Sequence, residues 1–383
     1  MRFKPTNIKG AGDVLPGQQI LRSRVLDVLR DHFESHGFVP IETASLNYME
    51  VLGYKYEQDA EIVREIYKIK DQGDRDLGLR FDLTVPFAKF IATNRDIRMP
   101  FRRYEIGKVW RNGPVKAGRL REFYQCDIDV VGQKGIEVEA ELMALAVKCF
   151  LDLGITPLIK YGNRKVLSSL IGENADKVIP IIDRMEKISK AELDTELGKY
   201  LSPVQIKKLL KQLESGVKNQ EAEVLGKLLE QMGVGEYCVW TPSLARGLNV
   251  YTGTVWEVFD KDERISSSLG GGGRYDNIIT DWVGSGQDYP AVGMAFGLEP
   301  IMVLLGDEGY ESPVDLLLVS MKDYAKTNEF AEKFRRDGKR VLVLGNMKVG
   351  KAVEYADKAG IPEVGVIGER EIESGKVEIK NLR

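Results

Sequence analysis

RYEIGKVWRNGPVKAGRLREFYQCDIDVVG, residues 103–132, places two runs of strand-like alternation on either side of a polar loop. Across the tip lie Lys108, Arg111, Lys116, Arg119 and Arg121, and along the return run lie Glu122, Gln125, Asp127 and Asp129. Period-two alternation sends successive side chains to opposite faces of a strand, and two such runs joined by a polar turn read as a hairpin. A hairpin that is cationic at its tip and acidic along its return strand can hold a polyphosphate beside an ammonium-bearing ligand. An enzyme that joins a carboxylate to ATP needs that juxtaposition. By itself such a hairpin is equally an ordinary solvated charged turn, whose surface charges contribute little. The rest of the chain decides.

Working outward, strand-like segments precede the hairpin at 65–70 and 77–81, and its own runs cover 99–110 and 122–131. Strands joined by short connections point to an α+β fold on an antiparallel sheet rather than a doubly wound parallel one. Residues 18–36 carry Ile20, Leu21, Val25, Val28, Leu29 and Phe33 at helical spacing, ending at Gly37. The following GFVPIETASL reads as a strand in which Pro40 suits an edge or a subunit contact. A second helix is expected over 135–153. From about 163 to 236 Lys, Glu, Leu and Ile recur at helical spacing with few aromatics, which reads as a small helical insertion. Strand character returns at 237–241, 255–259 and 291–296. A polar boundary near 307–313 precedes a compact α/β module in which VDLLLVSM, KRVLVLG and EVGVIG alternate with helices.

The chain has 383 residues, 43% hydrophobic and 30% charged, with a formal net charge of -3. That length predicts two or three domains, and that balance argues against a general polyanion binder. No run approaches the roughly 18 apolar residues of a membrane span, and no signal segment opens the chain. Cys126, Cys149 and Cys238 are widely spaced without a CxxC pair, which predicts reduced thiols in a cytoplasmic protein and no zinc site. The two histidines, His32 and His36, sit on one helix and read as surface or packing residues, so histidine-centred catalysis is not expected.

Four further constellations surround the hairpin. Arg111 is a candidate phosphate ligand, since a guanidinium binds an α-phosphate in two-pronged fashion and stabilises charge gathering on phosphorus. In LRFDLTVPF, residues 79–87, Asp82 and Thr84 share one face of a strand end and, with Gln125 and Asp129, could ring an α-ammonium. A capping role for Asp82 ahead of the next helix is equally open. In LARGLNVYTGTVWEVF, residues 244–259, Arg246 precedes a strand with Tyr251 and Thr252 nearby, so it faces an anionic ligand or an acidic neighbour such as Asp129. SLGGGGRYD, residues 268–276, holds four glycines, more than a turn needs. It lacks the ending of a P-loop and reads as a flexible loop or a close backbone approach to a ligand. PAVGMAFGLEPIMVLL, residues 290–305, reads as a strand, a turn at Gly297, and a helix whose start could assist phosphate binding.

Together these segments resemble the histidyl-tRNA synthetases of the class II aminoacyl-tRNA synthetase family, over essentially the whole chain. KGAGDVLP (residues 9–16) and the Pro40 segment are similar to the N-terminal motif and to motif 1, the dimer-forming element. Residues 103–132 resemble motif 2. RGLNVYTG (246–253) and GGGRYD (271–276) are similar to the family's histidine signatures, and YADKAGIPEVGVIGE is similar to an anticodon-binding domain. The resemblance implies a catalytic domain over 1–312 with an insertion at about 163–236, and an anticodon-binding-like domain over 313–383. It implies that L-histidine is activated by ATP, with Mg²⁺ on the phosphates, and transferred to tRNA(His) by a cytoplasmic homodimer.

Carried over by position, Arg111 would hold the α-phosphate, with Arg121, Glu122 and Gly297 also on the ATP side. Arg246 would assist adenylate formation beside the carboxylate. Asp82, Thr84 and Gln125 would take the α-amino end. Asp129 and Tyr251 would read the imidazole, whose one donor and one acceptor a carboxylate and a phenol can match. No protein side chains are expected to hold a metal. Three departures from the family form stand out: Pro300 stands where motif 3 carries arginine, Asn249 and Val250 replace Asp-Tyr, and Gly12 replaces a common arginine. Pro300 keeps in view a rival of another class, the non-catalytic, histidine-sensing regulatory subunit of ATP phosphoribosyltransferase.

Overall fold

The computed structural model describes residues 4–54, 61–116, 118–245, 250–306 and 312–382. It divides into two units, Met1–Asp13 with Val25–Leu304, and Val14–Arg24 with Leu305–Arg383. Strands β1 (Val39–Pro40), β2 (Leu46–Tyr48), β3 (Lys68–Lys70) and β4 (Asp76–Leu79) lead to the hairpin of β5 (Phe101–Trp110) and β6 (Glu122–Val131). After it come β7 (Pro157–Asn163), β8 (Cys238–Trp240), β9 (Thr254–Asp260), β10 (Gly270–Arg274) and β11 (Ala291–Gly297). The second unit adds β12 (Leu316–Ser320), β13 (Val341–Gly345), β14 (Glu363–Ile367) and β15 (Ile379–Asn381).

The hairpin pairs without a slip from Phe101 opposite Val131 to Trp110 opposite Glu122. It is extended into one eight-stranded sheet ordered β1-β5-β6-β11-β10-β9-β7-β8. β1 runs parallel to β5 and β7 parallel to β8, while the remaining pairings are antiparallel. The architecture is therefore the expected α+β fold on an antiparallel-rich sheet. Pro40 lies in the two-residue edge strand β1, where a missing N–H is tolerated. A smaller sheet, β2-β4-β3, stands beside it in sequence. The segment expected as a strand from residue 65 begins one only at Lys68, after a helical turn at Glu61–Arg64.

Alternation along the central strands gives the large sheet two different faces. One is apolar: Phe296 on β11 meets Phe33 of the helix Pro16–Ser35 and Phe150 of the helix Glu137–Asp152, each with ring centroids 5.5 Å apart. The first of these helices ends as its spacing predicts, with Gly37 at a φ of 77° and the Phe38 N–H donating back to Phe33 O at 3.0 Å. The opposite face carries Gln125, Asp127 and Asp129 of β6. Opposite them in register stand Gly107, Glu105 and Arg103 of β5, and Gly297, Ala295 and Gly293 of β11.

The glycine run corrects an expectation. Gly270–Arg274 is not a loop but β10, a central strand between β9 and β11. Its glycines answer crowding: a Cβ on Gly272 would lie 2.2 Å from Gly293 O and 2.6 Å from the Trp256 ring. Trp256, opposite Gly272 in register, fills the space left there and is fully buried. Gly271, one residue back, faces the other way and lines a cavity described below.

Between β7 and β8 the chain forms helices Arg164–Ile171, Ala175–Ile182, Lys190–Leu197, Pro203–Glu214 and Gln220–Gln231. The apolar stripes of the first four, including Leu167, Ile179, Leu197 and Leu209, close a core of their own, while Gln220–Gln231 lies against the helix Glu137–Asp152. Ser202 and Gln205 form a reciprocal capping box at the start of Pro203–Glu214. In the second unit the sheet runs β13-β12-β14-β15. Buried residues of β12 alternate between two clusters, Leu316 and Leu318 with Phe330 on one side, Leu317 and Val319 with Ala352 and Ala356 on the other. A strand covered on both faces reads as the continuous apolar run seen in the sequence.

The crowding at Gly272 yields a stability prediction. Gly272→Ala must displace backbone and a fully buried indole, and overpacking of this kind costs about 1–3 kcal/mol. Differential scanning calorimetry should show a clear fall in Tm, and an unchanged melt would mean that β10 is not closely packed.

Candidate active site

The polar face of the sheet opens into a cavity of about 1140 Å³. Its base is β6, where the alternation seen in the sequence brings Gln125, Asp127 and Asp129 into one row. Behind them Arg103, fully enclosed, is held by Asp129 Oδ2 at 2.6 Å from Nη2. It lies over the Phe87 ring at 4.3 Å, and its Nη1 faces Glu105 Oε2 at 3.8 Å. Glu105 is held in turn by Arg80 Nη1 at 2.8 Å and by the N–H and hydroxyl of Thr43, both at 2.9 Å. Buried charge survives only when paired, and this relay supplies the pairing. The Tyr275 hydroxyl also donates to Asp129. Burial pushes the Asp129 carboxyl upward, with Arg103 opposing.

Asp82 and Thr84 enter from the side. The strand read through this segment ends at Leu79, and Thr84 opens the helix Thr84–Thr93. Asp82 Oδ1 accepts from the Val85 N–H at 3.1 Å, so it does cap that helix, and it lines the cavity as well. Burial raises its pKa to about 6, against the Val85 N–H and the nearby Arg111 charge. Tyr251 lines the cavity from the segment before β9.

At the other end the hairpin loop supplies Arg111 and Arg119. Arg111 donates through Nε to Phe81 O at 2.9 Å and lies over the Phe123 ring at 5.1 Å. Removal from water lowers its pKa, with Asp82 opposing. The loop is closed on itself by backbone bonds of 3.0 Å in both directions between Lys116 and Arg119. Arg119 pairs with Glu65 Oε1 at 3.2 Å, and a Cβ on Gly113 would fall 2.4 Å from that same oxygen. Gly118 packs against Pro300, so the residue that departs from the family form lies under the loop.

Six of the residues singled out from sequence thus meet in one cavity: Asp82, Thr84, Arg111, Gln125, Asp129 and Tyr251. Three stand outside its lining. Arg121 donates its backbone N–H to Gly10 O at 2.8 Å and its Nε to Gly113 O, bracing the loop on the N-terminal segment. Glu122 binds Lys108 at 2.6 Å and the Trp110 indole at 2.9 Å. Gly297 closes β11 against the Pro300 ring. Arg246 and Asn249 lie outside the described residues, although Ala245 and Val250 border the cavity.

Sequence reasoning counted Asp127 only within the acidic return run and gave no role to Tyr275 or Glu65. The first shares its strand face with Gln125 and Asp129, so alternation alone placed it there. Tyr275 stood within the quoted GGGRYD, whereas Glu65 reaches the loop by a contact that no local pattern announces. Among the described residues no group of three or more His, Cys, Asp or Glu is placed to hold a metal ion.

Comparison with known proteins shows the family. A family model described as histidyl-tRNA synthetase matches residues 10–301, and one described as anticodon binding domain matches 314–383. The chain is 40% identical over 407 residues to histidine–tRNA ligase 1 of Bacillus thuringiensis subsp. konkukian, covering 98% of this chain and 95% of that one. It is 33% identical over 441 residues to the histidine–tRNA ligase of Bacteroides fragilis strain YCH46, covering 100% and 96%. Among solved structures, histidyl-tRNA synthetase from Nostoc sp. PCC 7120 superposes with a TM-score of 0.85 at 28% identity, covering 100% of this chain and 95% of that one. An ATP phosphoribosyltransferase regulatory subunit/histidyl-tRNA synthetase from Bacillus halodurans C shares the fold, with a TM-score of 0.79 at 20% identity over 93% and 97% of the chains. A hairpin, a carboxylate row and a sequence match over nearly the whole length converge, and the chain belongs to the histidyl-tRNA synthetase family.

Proposed function

We propose that this protein activates L-histidine with ATP and transfers the histidyl group to tRNA(His). The observation that carries the reading is the meeting of Arg111 with the Gln125–Asp129 row, Asp82 and Tyr251 in one cavity. In the first step a histidine carboxylate oxygen attacks the α-phosphorus, the bond to the bridging oxygen breaks, and pyrophosphate leaves. In the second a terminal ribose hydroxyl attacks the acyl carbon, loses its proton, and AMP departs.

Arg111 serves the α-phosphate, its guanidinium plane set by Phe81 O and Phe123. Asp82, Thr84 and Gln125 take the α-amino end. Asp129 and Tyr251 take the imidazole, with Arg103 and Tyr275 fixing the carboxylate. Arg246 completes the carboxylate side. Pro300 brings no charge to the phosphates, and Arg119 is the loop cation set beside Arg111 instead. Arg121, Glu122 and Gly297 act on the ATP side by holding the loop and the β11 turn. Magnesium would come bound to ATP and would neutralise phosphate charge.

Residues 1–312 form the catalytic domain, with its insertion at about 163–236, and 313–383 read the anticodon. Val39, Leu46 and Tyr48 are apolar and exposed on the segment that resembles motif 1, which favours a homodimer. No helix among the described residues is long and apolar enough to cross a membrane. A cytoplasmic place follows from the family's role in translation.

Histidine-dependent exchange of pyrophosphate into ATP tests the reading. Exchange is expected, whereas a folded sample that binds histidine without exchange would support a regulatory, non-catalytic relative. Arg246→Ala should depress exchange far more than histidine binding, because its role lies in the transition state; equal losses would remove that role. Deleting 313–383 should weaken charging of tRNA while sparing activation, and loss of both would make the module structural.

Asp82 gives a pH prediction. Its folded pKa of about 6 exceeds the ordinary 3.8, so the ligand-free fold loses stability as pH rises between these values. Asp82→Asn should therefore raise Tm at pH 7 and lose that advantage towards pH 4. A constant difference across the range would contradict the assignment.

A further inference from the structure

Asp127 lines the cavity, yet neither the family resemblance nor the reading above gives it a task. It lies in the middle of the β6 row, between Gln125 and Asp129, with Glu105 opposite on β5 and Ala295 opposite on β11. Its hydrogen bond is a long one, 3.4 Å from Gln125 Nε2. Among the described residues no cation forms an ion pair with it: Arg103 is held by Asp129 at 2.6 Å, Arg80 by Glu105 at 2.8 Å, and Arg111 is turned to Phe81 O.

Among the described residues the charges facing Asp127 are Asp129 on its own strand, Arg103 and Glu105 from β5, Asp82 from the turn before Thr84–Thr93 and, more weakly, Arg111 from the hairpin loop, with the Tyr275 phenol beyond. Asp82, Glu105, Asp127 and Asp129 are all buried against two enclosed guanidiniums, Arg80 and Arg103. Asp127 is left without either of them, and Asp82 has only the nearby Arg111 charge. Gln125 Oε1, in the same row, is buried without a hydrogen-bond partner. A buried carboxylate without a cation keeps a proton or awaits a cationic ligand. Burial, together with the Asp129 and Asp82 charges, pushes the Asp127 carboxyl well above the usual range, with Arg103 opposing.

We propose that Asp127 is a binding residue for the substrate α-ammonium, forming with Asp82 a two-carboxylate clamp that selects amines over deaminated analogues. The proposal rests on the histidine-activating reading and sharpens its specificity. Gln125 Oε1 supplies the neutral acceptor of the same clamp, and Ala295 opposite leaves the space that an ammonium group fills. Asp129, held by Arg103 and Tyr275, stays with the ring and does not compete for the amine.

The test compares L-histidine with 3-(imidazol-4-yl)propionate, which keeps the ring and the carboxylate but lacks the amine. Affinities are measured by calorimetry and by inhibition of pyrophosphate exchange. Wild-type protein should strongly prefer histidine. Asp127→Asn should lose at least about tenfold of that preference, the scale of one charge-assisted contact, with KM for ATP unchanged. Asp127→Ser, smaller and equally uncharged, should do the same and covers the case in which the asparagine variant folds poorly. Preference retained in a folded variant would overturn the clamp and leave Asp127 a protonated structural carboxyl. Wild-type protein that does not bind histidine would instead overturn the functional reading itself.

Discussion

The site depends on one buried ion pair, Arg103 with Asp129. The arginine is fully enclosed, and its partner lies on the adjacent strand directly opposite in register. Removing one member of such a pair strands a charge and costs about 3–5 kcal/mol. The pair also reaches further, since Glu105 and Arg80 continue it to Thr43, in the segment that follows β1. Hairpin, β4–helix turn and edge segment are thereby held by one line of charges. The carboxylate row can face an open cavity because the charges in the line behind it are paired with one another.

A second constraint is steric and explains composition that looks wasteful. The glycines of β10 allow Trp256 and the neighbouring strands to approach across a sheet that would otherwise be held apart. Gly293 serves the site in the same way, since a Cβ there would overlap the Asp129 carboxylate. Gly113 leaves room for Glu65 to reach the loop cation Arg119 from outside the hairpin. Where side chains are missing, charged groups from other elements occupy the space.

The legible parts of the chain were those with a strong period. β6 runs over Glu122–Val131, the span its alternation marks, and the helix Glu137–Asp152 falls inside the range its spacing marks. The helical insertion was visible as a change of texture. β10 was misread because alternation needs side chains, and four glycines present none. The strand assigned through Phe81 stopped early because Asp82 caps a helix, an alternative that local pattern could not separate from ligand binding; in the structure Asp82 caps and also lines the cavity. Glu65 and Tyr275 join the site through contacts distant in sequence, which no window captures. Asp127 was visible as one of the acidic return run, and strand period two sets it between Gln125 and Asp129, although no separate task followed from that.

The direct measurement of this account is a crystal structure with L-histidine bound. It should place the ammonium between Asp82 and Asp127 within reach of Gln125, and the imidazole against Asp129 and Tyr251, with the carboxylate turned towards Arg111. Histidine lying the other way round, with its ring towards Arg111 and its ammonium against Asp129, would contradict it.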